Sequence, residues 1–169
     1  MPLIVNLLTT SLISLLAFNL ELNAVQVSPP EKMEFSSKNN QINMTISNQG
    51  SAVVQAKETT YNWSEPVRLP SAVVISESKN SIFLLGGYGD SGSTLGLVDI
   101  YQLDGKSVAK IDLNDSLPDL KTMSSNSSPM TNYPWLSSYQ LSEEEDQLHL
   151  RICDQLDLAI SITGKIQKK

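Results

Sequence analysis

The body of the chain alternates apolar and polar residues in short runs that are separated by turn residues. In the first run, Ile42, Met44 and Ile46 fall on one face and polar residues on the other, which is the period of a half-buried β-strand. Strands at short, regular spacing, with almost no helical periodicity after Ala24, predict an all-β fold of antiparallel sheets, propeller-like or sandwich-like. The runs that predict strands are 41–47, 51–57, 72–76, 82–85, 97–101, 108–113, 135–141, 148–153 and 156–162.

Residues 81–113 are the clearest part of this pattern, because they predict three consecutive strands joined by two turns. The first turn is rich in glycine, from Gly86 to Gly92, and the second contains the pair Asp104-Gly105. An Asp-Gly pair between strands predicts a two-residue primed turn, since such a turn needs a positive φ that glycine adopts at little cost.

Two segments interrupt the alternation. Residues 63–70 contain Pro66 and Pro70, which cannot donate hydrogen bonds to a neighbouring strand, so an edge or a connection is predicted there. Residues 114–134 contain one candidate helical turn, 119–123, and then a run of polar residues without an apolar anchor. This second segment predicts a long exposed loop.

Two stretches of the chain, 81–112 and 146–165, resemble each other. Each predicts a strand, a turn and a strand, with Asp-Gly-Lys at one turn and Thr-Gly-Lys at the other, as is typical of propeller blades. The chain has room for only about three blades of ~40 residues, which is fewer than a closed propeller contains. An open arrangement of propeller-like or sandwich-like sheets is therefore expected.

The first 24 residues are predicted to be a signal peptide. They contain an apolar stretch, 12–18, with Ala17 or Ala24 as the small residue before the cut, and residues 1–20 hold no Lys or Arg. An uncleaved membrane anchor and a buried helix are the alternatives. The predicted organisation is therefore a signal peptide at 1–24, a linker at 25–40 and a single β domain at 41–169. Its expected location is periplasmic or secreted, and it touches the membrane only if the first segment stays uncleaved.

Length and composition fit one globular domain, with 169 residues of which 40% are hydrophobic and 18% charged. The net charge is −6 and the only basic cluster is Lys165, Lys168 and Lys169, which excludes nucleic acid as an expected partner. Cys153 is the only cysteine, so no internal disulfide can form. We predict that Cys153 packs as a small hydrophobic residue, with a reactive or intermolecular thiol as the alternative.

An ordered set of motifs covers about half of the chain, within residues 73–165. The motifs are an apolar strand before Gly86-Gly87-Tyr88-Gly89, Val98-Asp99-Ile100-Tyr101 followed by Asp104-Gly105-Lys106, residues 113–118, a serine stretch before Trp135, Leu141-Ser142-Glu143 and Thr163-Gly164-Lys165. In this order they resemble a group of small secreted bacterial proteins of unknown function that consist of a few propeller-like β units. The resemblance implies an exported β domain and brings no catalytic residues.

The loop Gly89-Asp90-Ser91-Gly92-Ser93 resembles the nucleophile loop of trypsin-type serine proteases. That chemistry needs a histidine that takes the serine proton, and in that family the histidine lies well before the serine. Here the sole histidine, His149, follows it and falls within an alternating strand. A glycine turn between strands is therefore the prediction for this loop.

Two sets of residues carry side chains that bind metals in other proteins, but neither has the spacing of a metal site. Asp90, Ser91 and Asp99 offer oxygen ligands for calcium, but their spacing is not that of an EF-hand loop. His149 and Cys153 would lie roughly 13 Å apart on a strand, and two ligands are too few for zinc. We predict no metal and no cofactor.

Residues 143–146 are four consecutive acids, Glu143-Glu144-Glu145-Asp146. Acid–base catalysis by two carboxylates needs environments that separate their pKa values, which a solvent-exposed hairpin turn does not provide. A solvated turn is therefore predicted, with docking of a basic partner as the alternative.

These observations predict an exported, non-catalytic domain that acts by contact with a protein or ligand in the cell envelope. The loops 86–94 and 114–134 are the predicted contact regions, and the candidate contact surface in and beside them consists of Tyr88, Asp90, Tyr133 and Trp135. Aromatic residues with polar tips favour interfaces. The expected partner is another envelope or secreted protein. One alternative is an inhibitor or immunity-type protein that neutralises a toxin or hydrolase. The other is an enzyme of unrecognised type with His149, Asp99 or Asp90 in a pocket.

Overall fold

Three four-stranded antiparallel sheets make up the computed structural model, which describes residues 28–88, 96–116 and 136–169. In each sheet, strands that follow one another in the chain are paired, so each sheet is an up-and-down meander. A four-residue helix, α1 (Leu113–Ser116), follows the second sheet. The first sheet contains β1 (Lys32–Ser36), β2 (Ile42–Ser47), β3 (Ala52–Ala56) and β4 (Thr59–Asn62); the second contains β5 (Ala72–Ser76), β6 (Ser81–Leu85), β7 (Leu97–Gln102) and β8 (Ser107–Asp112); the third contains β9 (Leu136–Ser142), β10 (Gln147–Ile152), β11 (Leu156–Ser161) and β12 (Ile166–Lys168).

The prediction of an all-β fold of antiparallel sheets is confirmed. The predicted signal helix and the predicted helical turn at 119–123 lie outside the described residues. Within the described ranges, no helix has the length and apolar character of a membrane-spanning segment.

The range 25–40, predicted as a linker, instead contains β1. Met33 and Phe35 alternate with the charged residues Lys32 and Glu34, and all five residues of β1 pair with β2. The Phe35 side chain packs against the hydrophobic core that the first and second sheets share. The strands β4 and β12 were also not predicted, because each is short and mostly exposed.

The second sheet lies between the other two, and its strand β6 is buried along its whole length. Ile82 and Leu84 pack against the first sheet, whereas Phe83 and Leu85 pack against the third. Complete burial of one such side chain contributes about 1.5–3 kcal/mol, so both apolar layers depend on this strand. We call the layer between the first and second sheets the first interface, and the layer between the second and third sheets the second interface.

The outward faces of the first and third sheets are polar. On the first sheet Asn43 and Gln55 alternate with buried residues, and on the third sheet Arg151 and Asp157 do the same. A sheet that received a further sheet on this side would need apolar residues at these positions. Within the described ranges, the apolar layers are therefore the two interfaces of the three-sheet stack.

Three loops between strands share one conformation that ends in glycine. In each loop, the glycine N–H donates a hydrogen bond to the main-chain carbonyl three residues earlier, at 3.0 Å for Gly50 and Gly105 and 2.9 Å for Gly164. Each glycine has a φ between 86° and 88°, and neither Leu103 nor Asp104 has a positive φ. The loop is thus a three-residue turn with a glycine bulge rather than the predicted two-residue primed turn.

Two of these glycines lie where one sheet contacts the next. A Cβ placed on Gly105 would be 2.6 Å from the ring of Trp63, and a Cβ placed on Gly164 would be 2.6 Å from the Cβ of Ala109. Side chains do not approach each other this closely, so both contacts require glycine. The Asp-Gly-Lys and Thr-Gly-Lys motifs therefore mark equivalent contacts between the third turn of one sheet and the preceding sheet.

Trp63 directly follows β4, and its side chain is buried in the first interface. Its indole Nε1 donates to the carbonyl of Leu103 at 2.9 Å, and its ring lies against Tyr101 with centroids 4.7 Å apart. Burial raises the pKa of the Tyr101 hydroxyl, with a further contribution from the charge of Asp99 that Arg68 opposes.

The first turns of the three sheets are joined by polar contacts. Glu77 of the second sheet accepts from the main-chain N–H and the side-chain amide of Asn39, at 3.1 and 3.0 Å. Hydrogen bonds from the Ser37 hydroxyl and from Asn39 lower the pKa of Glu77.

On the other side of the second sheet, two members of the acidic run 143–146 contact it. The Ser76 hydroxyl donates to Glu143 at 2.9 Å, and Lys79 forms an ion pair with Asp146 at 3.0 Å. The run forms the turn between β9 and β10 with Glu143, Glu144 and Glu145 exposed, as predicted, and the contacts with the second sheet are an addition that the local sequence does not reveal.

Candidate contact surface

The main chain that leaves β6 is fixed by the connection between β4 and β5. The N–H of Tyr88 donates to the carbonyl of Leu69 at 2.9 Å, and the Ser71 hydroxyl donates to the carbonyl of Gly87. Residues 86–88 are therefore held from one side by a second segment of chain.

Arg68, which lies in the same connection between β4 and β5, also holds the main chain that leaves β6. Its Nε donates to the carbonyl of Gly86 at 2.7 Å, and its Nη1 pairs with the carboxylate of Asp99 on β7. The side chains of Arg68 and Asp99 are 24% and 10% exposed, so the pair is largely shielded from solvent. We refer to the contacts of Arg68, Leu69 and Ser71 with residues 86–88 as the Arg68 clamp.

Tyr88 projects from this clamped main chain, and 39% of its surface is exposed. An aromatic residue that is exposed while its backbone is fixed loses little conformational entropy when it meets a partner. Of the four residues in the predicted contact surface, Tyr88 is the one that the structure describes. Asp90, Tyr133 and Trp135 lie outside the described residues.

Main-chain hydrogen bonds join described residues near the undescribed segments 89–95 and 117–135. The N–H of Gly86 donates to the carbonyl of Leu97 at 2.8 Å, and the N–H of Leu113 donates to the carbonyl of Gly96 at 3.0 Å. Leu113 and Leu136 both belong to the second interface. Gly86, whose carbonyl accepts from Arg68, is thus bonded to Leu97, beside the point where the chain re-enters the described structure at Gly96.

Of the titratable residues considered for an enzyme, the structure describes Asp99 and His149 and does not bring these two together. Asp99 lies opposite Leu84 in the sheet ladder, on the face of the second sheet toward the first interface. His149 lies on the outward face of the third sheet, where its Nε2 is 3.0 Å from Glu145, which in turn is 3.6 Å from Lys169. The second interface separates His149 from Asp99.

Cys153 occupies the turn between β10 and β11. It has a φ of 49°, is partly buried and packs against the second interface, which agrees with the predicted packing role. Among the residues that the structure describes, no three His, Cys, Asp or Glu side chains are grouped so that they could hold a metal ion.

A groove of about 850 Å³ lies between the turns of the first and second sheets. Its walls carry both signs of charge, including Lys57, Glu58, Lys79 and Asp104. This groove could not be predicted from the sequence, because its walls come from turns that are far apart in the chain. The same holds for the Arg68–Asp99 pair, whose members are separated by 31 positions.

Comparison with known proteins leaves the family open. No family model matches the chain, and no curated protein matches it. Solved structures with a similar arrangement include the crystal structure of HIRA(644-1017), with 10% sequence identity over 76% of this chain and a TM-score of 0.47. The chain spans about a third of that structure, 35% of its length. At this score the likeness carries nothing about activity or partners.

Proposed function

We propose that this chain is a non-catalytic binding domain that contacts another protein of its compartment, with Tyr88 as an anchor of that contact. The observation that carries the proposal is an exposed aromatic side chain on a main chain that the Arg68 clamp holds in place. Interface anchors are typically aromatic residues presented in this way, with a polar tip and a fixed backbone.

The role of Asp99 supports a binding domain over an enzyme. Its carboxylate is paired with Arg68, and the clamp uses that pair to hold the carbonyl of Gly86. His149 contacts Glu145 on a different face of the molecule. In this proposal both residues are structural, and the contact surface consists of Tyr88 with Asp90, Tyr133 and Trp135.

The proposal includes export, with residues 1–24 as a signal peptide and another envelope or secreted protein as the partner. The intact mass of the protein isolated from the envelope or the medium tests this part. A mass that corresponds to cleavage after Ala17 or Ala24 is expected, and an uncleaved chain in the cytoplasm would contradict it.

Binding is tested with two tyrosine substitutions of similar exposure. Tyr88→Ala removes the proposed anchor, and Tyr139→Ala removes a tyrosine that is 46% exposed on β9 of the third sheet. The immobilised wild-type chain is used to isolate a partner from an envelope extract, and the affinity of each variant for that purified partner is then measured.

We expect Tyr88→Ala to weaken the affinity by about tenfold or more, as for an interface anchor, and Tyr139→Ala to change it by less than about twofold. Unchanged affinity of Tyr88→Ala, or equal losses in both variants, would overturn the proposal. So would the absence of any saturable partner of the wild-type chain.

A further inference from the structure

The groove between the first and second sheets lies where the first interface reaches the solvent. Among the residues that line it, Ile42 and Leu103 belong to the first interface, and Ala56 and Tyr61 pack against that interface. These four side chains give the groove an apolar floor. Its volume of about 850 Å³ is within the usual range of ligand-binding clefts.

The charged residues that line the groove are mostly carboxylates without an ion-pair partner. Glu58, Glu77 and Asp104 lie on turns of the two sheets, and among the described residues none of them forms an ion pair. The charge of Lys79 is compensated by its ion pair with the third sheet. Three carboxylates therefore stand against one unpaired cation, that of Lys57, and the groove is electronegative.

We propose that this groove binds a segment of a partner protein that carries lysine or arginine side chains. The alkyl stems of such side chains pack on apolar surface while their charged ends stay at the rim, where the carboxylates are. Opposite charges across a contact favour this partner over others, because an acidic segment would place like charges against each other.

The state of Glu77 is consistent with this charge. Hydrogen bonds from the Ser37 hydroxyl and from Asn39 lower its pKa, so the carboxylate keeps its charge at neutral pH. A second copy of this chain is a poor occupant, since its net charge is −6.

This contact is separate from the one proposed for Tyr88. The groove is lined by the turn that precedes β6, whereas Tyr88 lies beyond the other end of that strand. The two contacts can therefore be removed independently.

Binding is tested with the purified full chain and two fluorescent peptides that are blocked at both termini. One peptide is Gly-Lys-Leu-Lys-Gly, and the other has glutamate in place of both lysines. In fluorescence anisotropy at about 20 mM salt, we expect saturable binding of the lysine peptide with a Kd below about 1 mM, and no saturation with the glutamate peptide. Binding of the lysine peptide should weaken at about 200 mM salt, because exposed charges are then screened.

A charge reversal at the rim and a matched reversal elsewhere locate the site. Glu58→Lys is expected to raise the Kd of the lysine peptide by about fivefold or more, since it replaces an attraction by a repulsion. Glu31→Lys makes the same change in net charge at an exposed residue before β1, at the end of that strand away from the groove. It should change the Kd by less than about twofold.

Two milder variants give effects of opposite sign. Asp104→Asn removes a carboxylate but keeps the Oδ1 atom that accepts from the N–H of Lys106 at 3.0 Å, so the turn is retained. This variant is expected to raise the Kd by about twofold. Lys57→Gln removes the opposing cation and is expected to lower the Kd by about twofold.

Folding of each variant is checked by circular dichroism, so that a loss of binding is not a loss of structure. The proposal is overturned if the lysine peptide does not bind saturably at low salt, or if both peptides bind equally. Equal losses in Glu58→Lys and Glu31→Lys would overturn it as well. Tyr88→Ala is expected to bind the lysine peptide as the wild type does, which separates this inference from the proposed function.

Discussion

Replacing Gly164 with alanine measures how closely the third sheet approaches the second. Gly164 has a φ of 86°, a conformation that costs a residue with a Cβ about 1–2 kcal/mol. The new methyl group would also lie 2.6 Å from the Cβ of Ala109, and such overpacking typically costs about 1–3 kcal/mol. Alanine restricts the unfolded chain, which returns about 0.4–1 kcal/mol. We therefore expect the free energy of unfolding to fall by about 2–4 kcal/mol.

A double-mutant cycle separates the two costs. Ala109→Gly removes the atom that the new methyl group meets, at a cost of about 0.5–1 kcal/mol for glycine in a strand. In the double variant the steric cost disappears and the backbone cost remains. The two substitutions should therefore show a favourable coupling equal to the steric cost, about 1–3 kcal/mol.

Urea unfolding followed by circular dichroism gives these free energies, provided that the slope with urea is the same in all four proteins. If the effects of the two substitutions add to within about 0.5 kcal/mol, the two residues are not in contact and the reasoning is refuted. The single variant Ala109→Gly serves as the control for the loss of side chain alone.

Three further predictions address the first interface, the Arg68 clamp and the first turns. Trp63→Phe removes the donor to the carbonyl of Leu103 and should lower the free energy of unfolding by about 1–3 kcal/mol in urea titrations; an unchanged midpoint would contradict the hydrogen bond. Asp99→Asn leaves the Arg68 charge without its partner and should cost about 1–3 kcal/mol, less than a fully buried pair because Arg68 is partly exposed. A double variant with Arg68→Met should recover part of that loss, and no recovery would speak against the pair. Because the pKa of Glu77 is lowered in the folded state, its ionised form stabilises the protein above the ordinary pKa of 4.5, and this stabilisation is lost as the pH falls through the lowered value. Glu77→Gln should therefore show a smaller loss of stability on acidification below pH 4.5, measured by thermal unfolding, and identical pH profiles would argue against this role.

Local alternation was sufficient to predict most strands. In β2 and β10 every second residue is apolar and buried, so the period of two is visible in the sequence itself. The strand β1 has the same alternation at Met33 and Phe35, but charged neighbours and two preceding prolines made it resemble a linker. Its strand character depends on pairing with β2, which local composition does not encode.

The turn at Asp104-Gly105 shows a second limit of local reasoning. Glycine was correctly expected to take a positive φ, but the loop has three residues and a bulge. Loop length selects the turn type, and the Asp-Gly pair alone does not show that Leu103 also belongs to the loop.

In the candidate contact surface, the sequence could predict a single residue but not the contacts that hold that residue in place. Tyr88 was predicted as a contact residue because aromatic residues with polar tips favour interfaces, and its side chain is 39% exposed. The Arg68–Asp99 pair that fixes its backbone was not expected, because Asp99 resembled a possible calcium ligand when considered alone. Tertiary contacts decide which of these roles a buried carboxylate has.

Burial of β6 on both of its faces has a consequence for how the molecule opens. Removing either outer sheet would expose half of the β6 side chains to water, so in a fragment of two sheets one apolar face of β6 would be uncovered. Amide protons of β6 should then exchange with solvent only when the whole chain unfolds, whereas those of β4 and β12 exchange through local fraying. A protease that cuts within either connection between sheets is accordingly expected to release no stably folded piece.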